Sequence, residues 1–373
     1  MHQAILTFLL FFLGLIVFPI SFSLFEAPKV ILAELIIQGL IFSLLILQPK
    51  QLLLAIKSRK FIPTLILLGL VLLSPLLGSK EAFFGNAYRL QGGFIYLNLI
   101  LFLLVSAAIK FDLKPNLASI SLGGLLASVF LFGTNTNGRF VGSLGESNSL
   151  AAAALFCLPL ILASRKKIFK VLGLFATAAI IYYSGSRSGA LTLLLEIFCL
   201  GVIYYFKWSK KSFVLIALFI LLGLSLPFWE EKLLYQSSYS FKFESRFEVW
   251  KVATLSGFSQ PILGSGFGNI PEALKKQAIL SKSASQYNFI DSTHNLLLDY
   301  WVQGGIVGLG AILWLILTTI KALIKEQNSL LLVAFLALFM MSLFNPMSVV
   351  VLLQFWFLMG RSLQKKPDTR YSI

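Results

Sequence analysis

Histidine, cysteine and acidic side chains are all scarce in this chain. Its 373 residues include two histidines, two cysteines, and 15 Asp+Glu against 31 Lys+Arg. One histidine is the second residue, so His294 is the only imidazole in the body of the chain. Cys157 and Cys199 both sit inside apolar runs, where they read as packing residues and build no disulfide framework. One body histidine with scattered carboxylates gives no ligand-spaced cluster, so metal binding is not expected. Charged residues make up only 12% of the chain, too few to coat a soluble domain. No repeat array or low-complexity segment is present.

What fills the chain instead is hydrocarbon. Hydrophobic residues make up 58% of it, with mean hydropathy +0.87. Apolar runs long enough to cross ~30 Å of hydrocarbon recur from end to end, the pattern of an all-α integral membrane protein. The first run, Ile5 to Ile20, lacks a basic leader and an Ala-x-Ala site and is followed by more runs. It therefore reads as the first helix and not as a signal peptide. Hydropathy gives about twelve transmembrane helices, near 3–22, 28–47, 61–78, 92–109, 117–133, 148–163, 168–184, 189–206, 212–228, 296–320, 329–344 and 347–361. Residues 1–373 then form a single polytopic domain with one long loop, 229–295, between spans nine and ten.

A net charge of +16 would suggest nucleic-acid binding in a soluble protein. In a membrane protein it reads as the ordinary concentration of Lys and Arg in cytoplasmic loops. Loops 48–60, 110–116, 164–170, 207–211 and 321–326, with the tail from 361, hold 19 Lys+Arg. The short loops of the other face hold 5: Lys29, Lys80, Arg89, Arg139 and Arg187. Both termini are expected in the cytoplasm, and 229–295 outside. Neither ATP nor nucleotide sugars are normally available there, so a reaction on that face would draw on a pre-activated substrate such as a lipid diphosphate.

The outward segments carry the candidate chemistry. Ser245-Arg246-Phe247-Glu248 fits a capping box and puts Arg246 in a first helical turn, where free N–H groups suit an anion. Trp250 lies one turn on, along the same face. Gly264-Ser265-Gly266-Phe267-Gly268 resembles a nucleotide loop, but no strand precedes it, and it reads as a tight turn between two loop helices. Asp291-Ser292-Thr293 offers N-caps and puts His294 in the first turn of the next span, where the helix dipole keeps the ring neutral and able to accept a proton. Asp291, three residues back, is its expected orienter; Asp299 is not. Arg187, in Ser184-Gly185-Ser186-Arg187, falls at the mouth of two helices, and Arg139 and Arg89 fall in short outward turns. The plainer reading of Arg187 is an interfacial cation reaching for lipid headgroups, that of Arg139 a loop charge beside a helix cap, and that of Arg246 an exposed residue of an ordinary amphipathic helix. Glu34 and Glu196 lie within spans, where a carboxylate is costly and suggests function. Gly304-Gly305-Ile306-Val307-Gly308 is expected to let helices approach closely.

In order and spacing these pieces resemble the O-antigen ligase and polymerase family. The pieces are Phe84-Gly85 with Arg89-Leu90-Gln91-Gly92, Arg139-Phe140-Val141-Gly142 with Asn148, and Ser186-Arg187-Ser188-Gly189-Ala190. Arg246 with Trp250 and Pro261-Ile262-Leu263-Gly264-Ser265-Gly266 follow, then Thr293-His294-Asn295 with Gly304-Gly305-Ile306-Val307-Gly308-Leu309. Gln303 departs from the family, which often has Glu there, so no acid role is assigned to it. The resemblance implies a GT-C-type bundle with a lateral, lipid-open cavity in a bacterial cytoplasmic (inner) membrane. It implies a glycosyltransferase that moves glycan from undecaprenyl diphosphate to an acceptor hydroxyl on lipid A-core or another surface acceptor, with inversion and with no metal or other cofactor. His294, Arg246 and Arg187 would be catalytic, and Arg139, Arg89, Asn148, Trp250 and Asn295 would bind substrate. The partners would be the lipid-linked donor, a glycan or lipid acceptor and membrane lipids, with no nucleic acid. A polymerase of the same family uses the same donor and cations. The rivals from other classes are a lipid-linked glycan transporter or flippase, against which no inverted repeat or matched pair of broken helices is seen, and a non-catalytic scaffold.

Overall fold

The computed structural model describes residues 1–18, 24–85, 89–135, 138–209, 211–212, 214–218, 220, 246–281 and 290–364. Apart from one isolated bridge between Thr134 and Phe140, the regular elements among them are helical. In chain order they are α1 (His2–Leu15), α2 (Glu26–Leu47), α3 (Pro49–Ile56), α4 (Arg59–Leu77), α5 (Lys80–Phe84), α6 (Gly93–Ala108), α7 (Pro115–Phe132), α8 (Ser147–Leu162), α9 (Lys167–Ser184) and α10 (Arg187–Phe206). Then come α11 (Arg246–Ser259), α12 (Ile270–Leu280), α13 (Leu296–Lys325), α14 (Ser329–Ser342) and α15 (Val349–Ser362). By length and composition α2, α4, α7, α9, α10 and α13 can cross a membrane, and α1, α6, α8, α14 and α15 are shorter apolar helices. The protein is an all-α integral membrane protein. Of the expected ninth span, 212–228, the described residues are helical and the remainder lies outside the described residues.

Burial sorts these helices by their composition. Helices α8, α14 and α15 are apolar on every side and buried on nearly every side, as expected of the centre of a bundle. Helix α15 packs on α6, and α14 on α8 and α10. The outer helices instead expose large apolar side chains, such as Leu35 and Phe42 of α2, Leu72 and Leu76 of α4, and Phe175 of α9. That surface suits lipid and not water. Lys29, expected in a short outward loop, is fully buried in the first turn of α2, where its Nζ donates to Phe25 O at 2.7 Å and Ser143 O at 2.8 Å.

Helix α13 departs from the expected straight span. It breaks at Gly305, whose φ of 58° and ψ of −156° suit glycine alone. The freed backbone groups are taken by the 261–266 turn. Ser265 N donates to Val302 O (2.9 Å) and Gly266 N to Gln303 O (3.0 Å), while Ile306 N donates to Pro261 O (2.8 Å) and Val307 N to Ile262 O (3.3 Å). The glycine run thus opens the helix and seats a loop in the gap, beyond the close approach expected of it. The Gly264–Gly268 segment is the expected turn between two loop helices, with positive φ at Gly264, Gly266 and Gly268. Gln303 completes the joint: its Oε1 accepts from Gly268 N (2.8 Å) and its Nε2 donates to Asp299 O (3.2 Å). The transporter rival gains one broken helix here, but the break is filled by protein backbone.

Candidate functional site

At one end of the bundle, the turns before α8, α10, α13 and α15 meet the start of α11. The Arg139 turn is a small hairpin in which Asn135 Oδ1 accepts from Arg139 N at 3.0 Å. From it, Arg139 Nε donates to Ser184 O (2.7 Å) and Nη2 to Asn148 Oδ1 (2.9 Å). Asn148 Oδ1 also accepts from Ser186 Oγ (2.9 Å), whose hydroxyl caps α10 by accepting from Gly189 N (3.1 Å). Ser186 Oγ lies 3.3 Å from Ser188 Oγ, which accepts from Asn345 Nδ2 at 2.8 Å. Asn345 Oδ1 in turn accepts from Arg246 Nη2 at 3.3 Å. One relay therefore runs from Arg139 through Asn148, Ser186, Ser188 and Asn345 to Arg246, with Arg187 beside it as the first residue of α10.

The sequence places Arg139, Arg187 and Arg246 far apart, and the fold gathers them. Arg246 is held below its ordinary value by desolvation, then by repulsion from Arg139 and Arg187. Arg139 is lowered by desolvation, with Glu146 opposing and Arg187 adding to the effect. Clustered guanidinium groups are unfavourable to one another until an anion sits among them. Arg246 begins α11 as expected; Ser245, its expected cap, lies outside the described residues. Trp250 packs one turn on, with its ring centroid 6.4 Å from that of Phe344, and its buried Nε1 has no hydrogen-bond partner among the described residues.

His294 stands next to this cluster, one residue before the helix cap and not in the first turn where it was expected. The N-cap of α13 is Asn295, whose Oδ1 accepts from Leu297 N (3.0 Å) and Leu298 N (3.2 Å). His294 precedes it with φ 59°, a left-handed conformation in which histidine is enriched. Asn295 Nδ2 donates to Leu343 O (3.1 Å), so the whole Asn295 amide is engaged in holding the helix start. The clamp on the His294 turn is Asp299, which was not expected to orient it. Its carboxylate accepts from Thr293 N (2.8 Å) and Ser292 Oγ (3.1 Å), and Ser292 Oγ accepts from His294 N (3.1 Å). Asp291, the expected orienter, instead pairs with Arg89 at 3.0 Å. The His294 ring is pushed down to about 4, first by desolvation, then by Arg246 and Arg89, with Asp291 opposing. It is therefore neutral at pH 7.

A small cavity of about 50 Å³ opens beside the His294 turn. Among its lining residues are Arg89, Asp291, Ser292, Asp299 and Asn345. Among the described residues no group of three or more His, Cys, Asp or Glu is placed to hold a metal ion. Glu196 is buried in α10, and both its oxygens lack a hydrogen-bond partner among the described residues. Sequence reasoning missed Asn345 and the clamp role of Asp299. The Asn345-Pro346 dipeptide between two apolar runs marked a turn, but not that its amide would join two distant motifs.

Residues 172–313 match the family model described as O-antigen ligase. Over this stretch the chain is similar to the O-antigen ligase family. That match takes in Arg187, Arg246, Trp250, His294 and Asn295, whereas Arg89, Arg139 and Asn148 lie outside it. The fold brings both groups to the same end of the bundle. The chain is also 25% identical over 202 residues to a ComP-specific O-oligosaccharyltransferase of Acinetobacter baylyi, covering 48% of this chain and 35% of that protein. It is 34% identical over 85 residues to an uncharacterized protein of Haemophilus influenzae, covering 23% of this chain and 21% of that one. The matched part is thus about a third or less of each relative's length.

Proposed function

We propose that this protein is an O-antigen ligase-like glycosyltransferase that moves a glycan from undecaprenyl diphosphate to an acceptor hydroxyl on the extracytoplasmic face. The observation that carries this reading is the gathering of Arg139, Arg187 and Arg246 beside a neutral His294 at one end of an apolar bundle. Three guanidinium groups in mutual repulsion suit a diphosphate, whose charge rises as it leaves. Arg187 and Arg246 face the diphosphate in this reading. Arg139, already bonded to Ser184 and Asn148, sets their spacing and adds charge.

The acceptor oxygen attacks the anomeric carbon from the face opposite the diphosphate. The carbon–oxygen bond to the leaving group breaks, its electron pair goes to the diphosphate, and the acceptor proton goes to His294. Inversion follows. A ring held near 4 is a weak base. Donor binding offsets part of this, because an anion among the arginines cancels the repulsion from Arg246, while the larger effect of burial remains. The base is thus strengthened by the substrate it serves. No metal has a role in this mechanism.

A GT-C-type architecture, cytoplasmic termini and a bacterial inner-membrane location are part of the proposal, supported by the loop charges and the family match. The O-oligosaccharyltransferase relative favours transfer to an acceptor hydroxyl over transport of the lipid-linked glycan. Ligase and polymerase share this chemistry, and the acceptor separates them. The test is transfer in proteoliposomes containing EDTA and an undecaprenyl-diphosphate glycan, with wild type beside His294→Ala and Arg246→Ala. Transfer that disappears in both variants supports the reading. Carrier lipid moving between leaflets without transfer would replace it with a flippase.

A further inference from the structure

A second cavity, of about 340 Å³, lies where the end of α4 meets the loop helices α11 and α12. Its volume is within the range of small-molecule sites. It shares no lining residue with the cavity beside the His294 turn, and none of Arg139, Arg187, Arg246 and His294 lines it. Helix α12 gives it a whole face: Glu272, Ala273, Lys276, Gln277 and Leu280 recur at helical spacing. The other face of α12, with Ile270, Leu274 and Ala278, is buried with Val249, Val252 and Ala253 of α11.

The lining carries both signs of charge, and the charges do not neutralise each other. Glu272 and Lys276 lie one turn apart but form no ion pair, and neither has a partner among the described residues. Ser79 Oγ accepts from Ala82 N at 3.0 Å, which leaves its O–H to donate. Ser259 and Ser265 commit their O–H groups to Ser256 O (2.6 Å) and Val302 O (3.0 Å), which leaves their lone pairs to accept. Lys276 and Ser79 thus offer donors to an anion, and Glu272, Ser259 and Ser265 offer acceptors to N–H groups. One cation against one carboxylate matches a ligand of zero net charge. No aromatic ring is among the described lining residues, which argues against a quaternary ammonium and its usual aromatic cage. The matching chemistry is a phosphate joined to a primary ammonium group.

The approach to the cavity separates a lipid from a free molecule. Helix α4 is long and apolar enough to cross a membrane, and its last residue, Leu77, lines the cavity. Leu72, Leu73 and Leu76 just before it are exposed, Leu76 at 83%. Ile279 and Leu280 of α12 are exposed as well. An apolar track therefore runs along α4 into the cavity, at the depth where hydrocarbon gives way to headgroups.

We propose that this cavity seats the headgroup of a zwitterionic phospholipid with a primary amine, its phosphate on Lys276 and Ser79, its ammonium on Glu272 and its acyl chains along α4. Ser265 belongs to the turn that fills the α13 break, so the bound lipid braces that joint. The test is native mass spectrometry of the protein titrated in detergent with dioleoyl phosphatidylethanolamine, phosphatidylglycerol and phosphatidylcholine, and with chainless glycerophosphoethanolamine. The ethanolamine lipid should bind roughly tenfold more tightly than either other lipid, the effect of one charge-assisted bond. The chainless headgroup should bind more weakly than the lipid. Glu272→Lys, at an exposed position, should turn the preference toward phosphatidylglycerol. Gln277→Trp, which fills the cavity, should remove the preference, together with the rise in unfolding temperature that the ethanolamine lipid gives wild type. Equal binding of the three lipids by wild type overturns the proposal, and so does a preference that survives unchanged in Glu272→Lys or in Gln277→Trp. A chainless headgroup that binds as tightly as the lipid would make the ligand a soluble zwitterion and overturn the lipid assignment. None of these readouts depends on glycan transfer, so the proposal stands or falls apart from the transferase reading.

Discussion

Replacing Gly305 by alanine tests whether the joint between α13 and the 261–266 turn holds the site together. Gly305 has φ 58° and ψ −156°, a region essentially confined to glycine, where a side chain costs about 1–3 kcal/mol. An added Cβ would lie 2.5 Å from Ile262 C and O and 2.8 Å from Gly264 N. Relieving that contact moves the turn away and loosens the bonds from Ser265 N, Gly266 N, Ile306 N and Val307 N. At about 1 kcal/mol per bond, loss of two bonds with minimal strain gives about 3 kcal/mol, and loss of all four with full strain about 7 kcal/mol. The consequence reaches the chemistry, because the turn connects α11, which carries Arg246, to the half of α13 that follows His294. Gly310→Ala is the control: it lies in the same helix with nothing within 4 Å of an added Cβ, and should be neutral or stabilising by up to about 1 kcal/mol. Unfolding in detergent micelles and transfer activity are measured on both. A Gly305→Ala protein as stable and as active as Gly310→Ala would refute the joint.

Three further outcomes are expected. Arg246→Ala lowers the transfer rate by about 10²–10³-fold, the usual loss when one donor to a developing oxyanion is removed, and raises the His294 ring from about 4, as read by NMR of labelled imidazole. Asn345→Ala cuts the link between Arg246 and Ser188. It weakens donor use about tenfold and leaves the acceptor KM close to wild type, as steady-state kinetics with each substrate varied would show. The His294 ring, ordinarily near 6.5, stays neutral in the folded protein down to about 4, whereas in the unfolded chain it binds a proton below its ordinary value. The stability it contributes is therefore present above about 6.5 and falls away as the pH drops from there toward 4. The wild-type minus His294→Phe difference in unfolding, followed across that window, should change with pH; a flat difference would show that the ring is not desolvated.

The helices were legible because lipid imposes long apolar runs, and eleven of the expected spans have a helical counterpart among those described. The motif residues were legible for a different reason. Arginine and histidine are conspicuous in an oily chain, and the outward side could be argued from loop charge. What failed was local or long-range in character. Asn295 won the cap from Asp291, Ser292 and Thr293 because its side chain reaches two N–H groups at once, a competition that spacing does not settle. The break at Gly305 depends on a turn some forty residues earlier supplying four backbone partners, and hydropathy sees only an apolar run with glycines. Asn345 was invisible as a site residue because its partners, Arg246 and Ser188, are 99 and 157 residues away. Asp299 was set aside for lying off the histidine's helical face, yet it works by reaching back to the turn before the helix.

The central claim is that the gathered arginines hold a lipid diphosphate, and binding tests it most directly. Undecaprenyl diphosphate would be titrated into the protein in nanodiscs, wild type beside Arg187→Ala and Arg246→Ala, with undecaprenyl monophosphate as comparison. Each arginine lost should remove a charge-assisted bond of about 1.5–3 kcal/mol, weakening diphosphate binding by roughly 10- to 100-fold. The monophosphate should bind wild type more weakly and respond less to either change. Diphosphate binding that is unaffected by both substitutions would contradict the account.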